Sequence, residues 1–118
     1  MAQDYRQIQI WQRSHQFTLQ IYRMTNKFPA EERFGLTSQI RRSAVSVPSN
    51  IVEGSARESD RDFARFVTIA MASAAELDYQ LLLAHDLQYI PSDIYKTLEN
   101  ELNQIRRMMY SFRSSLKT

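Results

Sequence analysis

A chain of 118 residues with 43% hydrophobic and 24% charged side chains reads as one globular domain, long enough to bury a core without metal or disulfide staples. It has no Cys, which excludes disulfides and thiolate metal ligands and suits a reducing cytoplasm. A net charge of +2 and a pI of about 9.1 are mildly basic, a weak pointer to anionic partners.

Helical periodicity predicts a first helix over 8–27. Ile10, Phe17, Ile21, Met24 and Phe28 share one face, and Ser14 fills the remaining position. Trp11, Thr18 and Tyr22 form a second stripe beside it, and Phe28-Pro29 ends the pattern. After a turn over 30–34, a second helix is expected over 36–56, with Thr37 as a plausible N-cap. Its stripe is Leu36, Ile40, Ala44, Val47 and Ile51. Pro48 lies inside it and predicts a kink, while Gly54 reads as a C-terminal cap or a break.

The third helix, over 59–88, opens with Ser59 as N-cap and acids in its first turn. Phe63, Phe66, Val67, Ala70, Ala74, Leu77, Leu81 and Ala84 form its core stripe. Ile69, Met71, Ala72, Ala75, Leu82 and Leu83 place apolar groups on its other faces, which calls for cover by a second subunit. Pro91-Ser92-Asp93 starts a fourth helix over 92–116, striped by Ile94, Leu98, Leu102, Ile105, Met109, Phe112 and Leu116. No strand alternation, repeat or low-complexity linker interrupts this pattern. The fold class expected is all-α, an antiparallel up-down-up-down four-helix bundle spanning residues 1–118.

Charge is unevenly spread. Residues 1–27 sum to +3, 28–58 to zero, 59–90 to −3 and 91–118 to +2. The negative third segment is placed to pair with the positive ends, within the bundle or between subunits. The N-terminal Met-Ala-Gln-Asp-Tyr-Arg is not a basic-then-apolar signal segment. The longest apolar run, Ile69–Ala75, is broken by Ser73 and falls short of a bilayer span. These readings point to a cytoplasmic protein with no membrane partner.

Catalytic and cofactor patterns are missing from the sequence. Neither His15 nor His85 follows a carboxylate at the Glu-x-x-His spacing of a di-iron bundle. Two Gly in the whole chain leave no phosphate-cradling loop, and no Ser sits in a nucleophile elbow. The chain reads as a non-enzyme without cofactor or metal.

Trp11, Phe28-Pro29, Glu32, Gly35-Leu36, Gln39, Arg41-Arg42, the run Ser46-Val-Pro-Ser-Asn-Ile-Val-Glu-Gly54 and Arg57 resemble the bacterial four-helix-bundle proteins also called 23S rRNA intervening-sequence proteins. Phe63, Phe66, Ala70, Ser73, Glu76 and Leu81 extend the resemblance through the third helix, so that it covers about Ile10 to Tyr89. Val52, at a position that is usually small, and Ala72, where glycine is usual, depart from the pattern. The resemblance implies a four-helix bundle assembled as a ring, commonly a homopentamer, whose activity is not established. The family is also similar to the accessory variability proteins of diversity-generating retroelements. Those are basic pentameric barrels that bind nucleic acid and a reverse transcriptase.

Candidate phosphate contacts are Arg41, Arg42, Arg57, Arg61, Arg65, Arg106 and Arg107, because a guanidinium fork donates two hydrogen bonds to one phosphate. Taken singly, each is better read as solvated surface paired with a nearby acid. Repeated around a ring, they become a basic band for RNA or DNA. Trp11, Tyr22, Ser46, Pro48, Asn50, Glu53 and Gly54 are expected at subunit or helix interfaces, with Asn50 and Glu53 in a polar network near the carbonyl that Pro48 frees. The competing reading is a scaffold whose ring surface binds another polypeptide without nucleic acid.

Overall fold

The computed structural model describes residues 4–118; Met1, Ala2 and Gln3, with which the N-terminal reading begins, lie outside the described residues. Each apolar stripe becomes a helix: α1 (Gln9–Thr25), α2 (Leu36–Ser55), α3 (Asp60–Asp86) and α4 (Ser92–Ser115). Short 3-10 turns, Tyr5–Gln7 and Ala30–Glu32, precede α1 and α2. No strand occurs among the described residues. α1 packs on α2 and α4, α2 on α3, and α3 on α4, a four-helix bundle measuring 45 × 24 × 20 Å. The stripes meet in one core, with Ile21, Ile40, Ile51, Leu77, Leu81 and Met109 almost wholly buried. Burying a side chain of this size contributes about 1.5–3 kcal/mol.

Helix ends follow their chemistry in two of three cases. Ser59 caps α3, its hydroxyl oxygen accepting from the Asp62 N–H at 3.1 Å. Pro91 stands at the N-cap of α4. Thr37 does not cap α2; it is buried in the first turn, and Gly35 occupies the cap position. The side chain of Glu32 does the work instead. Its Oε1 accepts from the Leu36 N–H at 3.1 Å, and its Oε2 from the Tyr89 hydroxyl at 2.9 Å. These two donors hold the Glu32 carboxyl below its ordinary pKa, the Leu36 N–H most of all. The same bond to Glu32 raises the Tyr89 phenol above its ordinary value. A Cβ on Gly35 would stand 2.8 Å from Glu32 Oε1, so glycine here makes room for the carboxylate.

Pro48 is buried, and α2 runs through it to Ser55 without a break. Proline has no N–H, so the carbonyl of Ala44, one turn earlier, loses its helical partner. The Thr18 hydroxyl of α1 lies 3.1 Å from that carbonyl, and 2.8 Å from its own Ser14 carbonyl. Thr18 is accordingly buried, and the stripe that begins with Trp11 serves helix packing at this point.

Gly54 is not a cap. It lies inside α2 without a positive φ, and Ala56 follows the helix as its C-cap. Its function is space: a Cβ there would meet Phe63 Cδ1 at 2.7 Å and Phe66 Cβ at 2.9 Å. The start of α3 therefore seats two aromatic rings against the end of α2.

α3 is apolar on two opposed faces. Its core stripe, Phe63 to Ala84, is buried throughout. On the far side Ile69, Ala72, Ala75, Tyr79 and Leu82 run outward at three- and four-residue steps, with Tyr79 61% exposed. Met71 and Leu83, expected outside, are half-buried and pack against the core. This double face makes α3 long and apolar enough, by length and composition, to cross a membrane, although its longest unbroken apolar run is short. Composition alone carries that property, and the core stripe of α3 is covered by the other helices.

Candidate nucleic-acid interface

Seating Phe66 against Gly54 fixes a ring at the α2–α3 turn, and the arginines on either side close over it. The guanidinium carbons of Arg57 and Arg65 lie 4.8 and 4.7 Å from the centre of the Phe66 ring. Each such contact contributes about 0.5–1 kcal/mol at an exposed site and reduces the freedom of a long side chain. Arg61, one helical turn before Arg65, is exposed beside them. Asp62 holds Arg65 at 3.6 Å in an open ion pair. α4 returns to the same end of the bundle, where the Lys117 N–H donates to Asp60 Oδ2 at 3.0 Å and Arg113 Nη1 donates to Thr68 Oγ1 at 3.1 Å. Arg57, Arg61, Arg65, Arg113 and Lys117 thus gather at one end, interspersed with Glu58, Asp60 and Asp62.

The remaining candidate arginines go elsewhere. Arg41 is tied to the end of α1: its Nε donates to Thr25 Oγ1 at 2.9 Å and its Nη2 to Asn26 Oδ1 at 3.0 Å, over the ring of Tyr22. It neutralises the C-terminal end of that helix. Arg42, its neighbour in sequence, lines the α2–α3 groove on another side. Arg106 pairs with Asp78 of α3 at 3.4 Å, so the negative third segment meets the positive fourth within the bundle. Arg107 stands on the rim of a crevice between α1 and α4. Three of the seven predicted arginines are brought together. The sequence reading missed the ring that organises them, although the adjacency of Arg65 and Phe66 carried a signal.

Trp11 stacks on His15 with ring centres 4.8 Å apart, and its edge meets Tyr5 at 4.9 Å. With Tyr22, Val45, Pro48 and Val52 they line an apolar groove of about 430 Å³ between α1 and α2. In the motif, Asn50 Nδ2 donates to the Ser46 carbonyl at 2.8 Å and to Ser46 Oγ at 3.1 Å; Ser46 Oγ lies 2.8 Å from Ser73 Oγ of α3. That chain of bonds fixes the register of α2 on α3. Glu53 is exposed, and no hydrogen bond or ion pair of its side chain occurs among the described residues. The freed carbonyl is answered from α1, not by this network. Among the described residues no cluster of His, Cys, Asp or Glu is arranged to hold a metal ion.

Residues 6–111 match the family described as 23S rRNA-intervening sequence protein. The chain belongs to that family. A solved structure from Bacteroides thetaiotaomicron VPI-5482, a protein with unknown function from the S23 ribosomal protein family, superposes with a TM-score of 0.83 at 27% identity. The alignment covers 90% of this chain and 96% of that one. No curated protein matches the chain. The 23S rRNA-intervening sequence match covers the first three helices and most of α4, so the α2–α3 turn and its arginines lie within the shared domain.

Proposed function

We propose that this 23S rRNA-intervening sequence protein is a non-enzymatic homo-oligomer that binds RNA or DNA phosphates through the Arg57–Arg61–Arg65 end of its bundle. The observation that carries the reading is the pair of guanidiniums held on Phe66, with Arg61, between them in sequence, exposed. Two apolar surfaces facing different ways, the outer stripe of α3 and the α1–α2 groove, support a head-to-tail ring rather than a two-fold dimer. Family resemblance supplies the number five. In a ring each basic end is repeated once per subunit, and the summed phosphate contacts give affinity. The family's tie to ribosomal RNA supports a cytoplasmic setting. The outer stripe of α3 favours one other reading, a scaffold on which another polypeptide lies without nucleic acid.

Fluorescence anisotropy with labelled RNA and DNA over a salt series separates these. Binding should weaken steeply with salt, by about 0.7–0.9 in log K per log salt for each phosphate neutralised. The triple change Arg57→Ala, Arg61→Ala, Arg65→Ala should flatten that slope and leave the fold intact. Failure to bind either nucleic acid at low salt favours the scaffold. Light scattering should give a multiple of the 13.9 kDa chain, five for the ring. Leu82→Glu with Ile69→Glu should dissolve the assembly without loss of helicity; a monomer in the parent protein overturns the oligomer.

A further inference from the structure

α2 and α3 enclose a second, polar groove, and the side-chain carbonyl of Gln80, one of its lining residues, is left without a partner. The hydrogen bond between Ser46 and Ser73 sets the register. Because the helices are antiparallel, a turn back along α2 corresponds to a turn forward along α3. Arg42 and Ser43 thus stand level with Glu76, and Gln39 level with Gln80. These side chains line a groove of about 390 Å³.

Gln80 lies on its floor, only 5% exposed, and no hydrogen-bond partner of its Oε1 occurs among the described residues. Its Nε2 faces Glu76 Oε2 at 3.4 Å. Turning the amide over would set its oxygen against that carboxylate, so the neighbours impose this orientation. A buried carbonyl asks for an N–H or O–H donor. The adjacent carboxylate makes a cationic donor the best fit. Across the groove Arg42 is exposed, and neither it nor Glu76 makes an ion pair among the described residues, with each other or with any other group.

We propose that this groove binds a small zwitterion of the amino-acid class. The ammonium group of the ligand meets Glu76 and, once the Gln80 amide turns toward the groove, Gln80 Oε1, while its carboxylate meets Arg42 and the Ser43 hydroxyl. The remaining volume takes the side chain of the ligand. The inference is independent of nucleic-acid binding, since Arg42 is remote from the Phe66 cluster.

Heteronuclear NMR titration of the full chain with L-arginine, L-lysine and L-glutamine tests it. Saturable shifts confined to residues 39–46 and 73–80 are expected for at least one of them. Glycine betaine, whose nitrogen has no N–H, should give none, and agmatine, which lacks the carboxylate, should bind about tenfold more weakly than L-arginine. Gln80→Leu should abolish the shifts without lowering the melting temperature, because it also removes a buried carbonyl that lacks a partner. The proposal is overturned if no amino acid gives saturable shifts up to its solubility limit, if betaine binds equally, or if Gln80→Leu binds unchanged. It is equally overturned if the groove shifts follow protein concentration alone, since a second copy of the chain then fills the site.

Discussion

The seam between α2 and α3 and the seam between α1 and α4 solve the same packing problem with opposite materials. α2 meets α3 through small groups: Gly54 under Phe63 and Phe66, Ser46 against Ser73, and Ala70 and Ala74 in the core stripe. α1 meets α4 through long ones. Arg13 donates from Nε to Glu101 at 3.1 Å and from Nη2 to Gln104 at 2.8 Å, and its Nη1 reaches Met108 Sδ at 3.5 Å. Beside this clamp a crevice of about 450 Å³ stays open, lined by Ile10, Gln104, Met108 and Phe112 among others. Small groups bring helix axes close and leave no tolerance. Long side chains span a wider gap and adapt to it.

A substitution at each seam should expose the difference. Gly54→Leu drives carbon into Phe63 and into the Cβ of Phe66, which cannot swing aside. It should cost about 3 kcal/mol, the upper end for overpacking. Ser111→Leu, at the α1–α4 crevice, also ends in a leucine but places it where there is room. It should stay within about 0.5 kcal/mol of the parent. Chemical denaturation of both variants is the measurement; equal losses would erase the contrast between the seams.

Sequence periodicity was enough to place the four helices and most of the core, because each stripe is a local property of one helix. What it missed depends on pairs distant in the chain. Gly54 looks like a cap until Phe63 and Phe66 arrive from α3. Thr18 looks like part of an interface stripe until its hydroxyl is seen beside the Ala44 carbonyl. Arg41 and Arg42 are adjacent in sequence, but the helical turn sends one to α1 and the other to α3. Gln80 gave no signal at all, since a glutamine among leucines is unremarkable until its oxygen proves to be buried without a partner.

The link between Thr18 and Pro48 yields the next effect in size. Thr18→Val keeps shape but removes the donor to the Ala44 carbonyl, at a cost of about 1–2 kcal/mol. Pro48→Ala restores a backbone N–H for the same carbonyl. In that background Thr18→Val should cost about half as much or less, and a double-mutant cycle measures the coupling. Additive costs would show that the hydroxyl serves only its own Ser14 carbonyl. Arg13→Ala should cost less again, about 0.5–1 kcal/mol, because the Arg13 and Glu101 side chains are about a third exposed and water screens their pair. Thermal melts at low and high salt should show that cost shrinking as salt rises.

The smallest effect is a pH dependence at the end of the bundle where the loop before α2 meets Tyr89. Glu32 has a folded pKa below its ordinary 4.5. Its contribution to stability is therefore fully present above that value and is lost as pH falls through the folded one. Tyr89 is shifted the other way, above its ordinary 10.0. Its contribution is present below that value and is lost as pH rises through the folded one. Glu32→Gln should flatten the acid limb of a melting-temperature profile and weaken part of the alkaline limb. Tyr89→Phe should act mainly on the alkaline limb, since the Leu36 N–H, the larger influence on Glu32, remains in place. An alkaline slope survives both changes, because burial first, and then the bond to Glu99, pushes Tyr95 up to about 12. If Tyr89→Phe removed the acid limb as fully as Glu32→Gln does, the phenol rather than the N–H of α2 would be the partner that matters to the carboxylate.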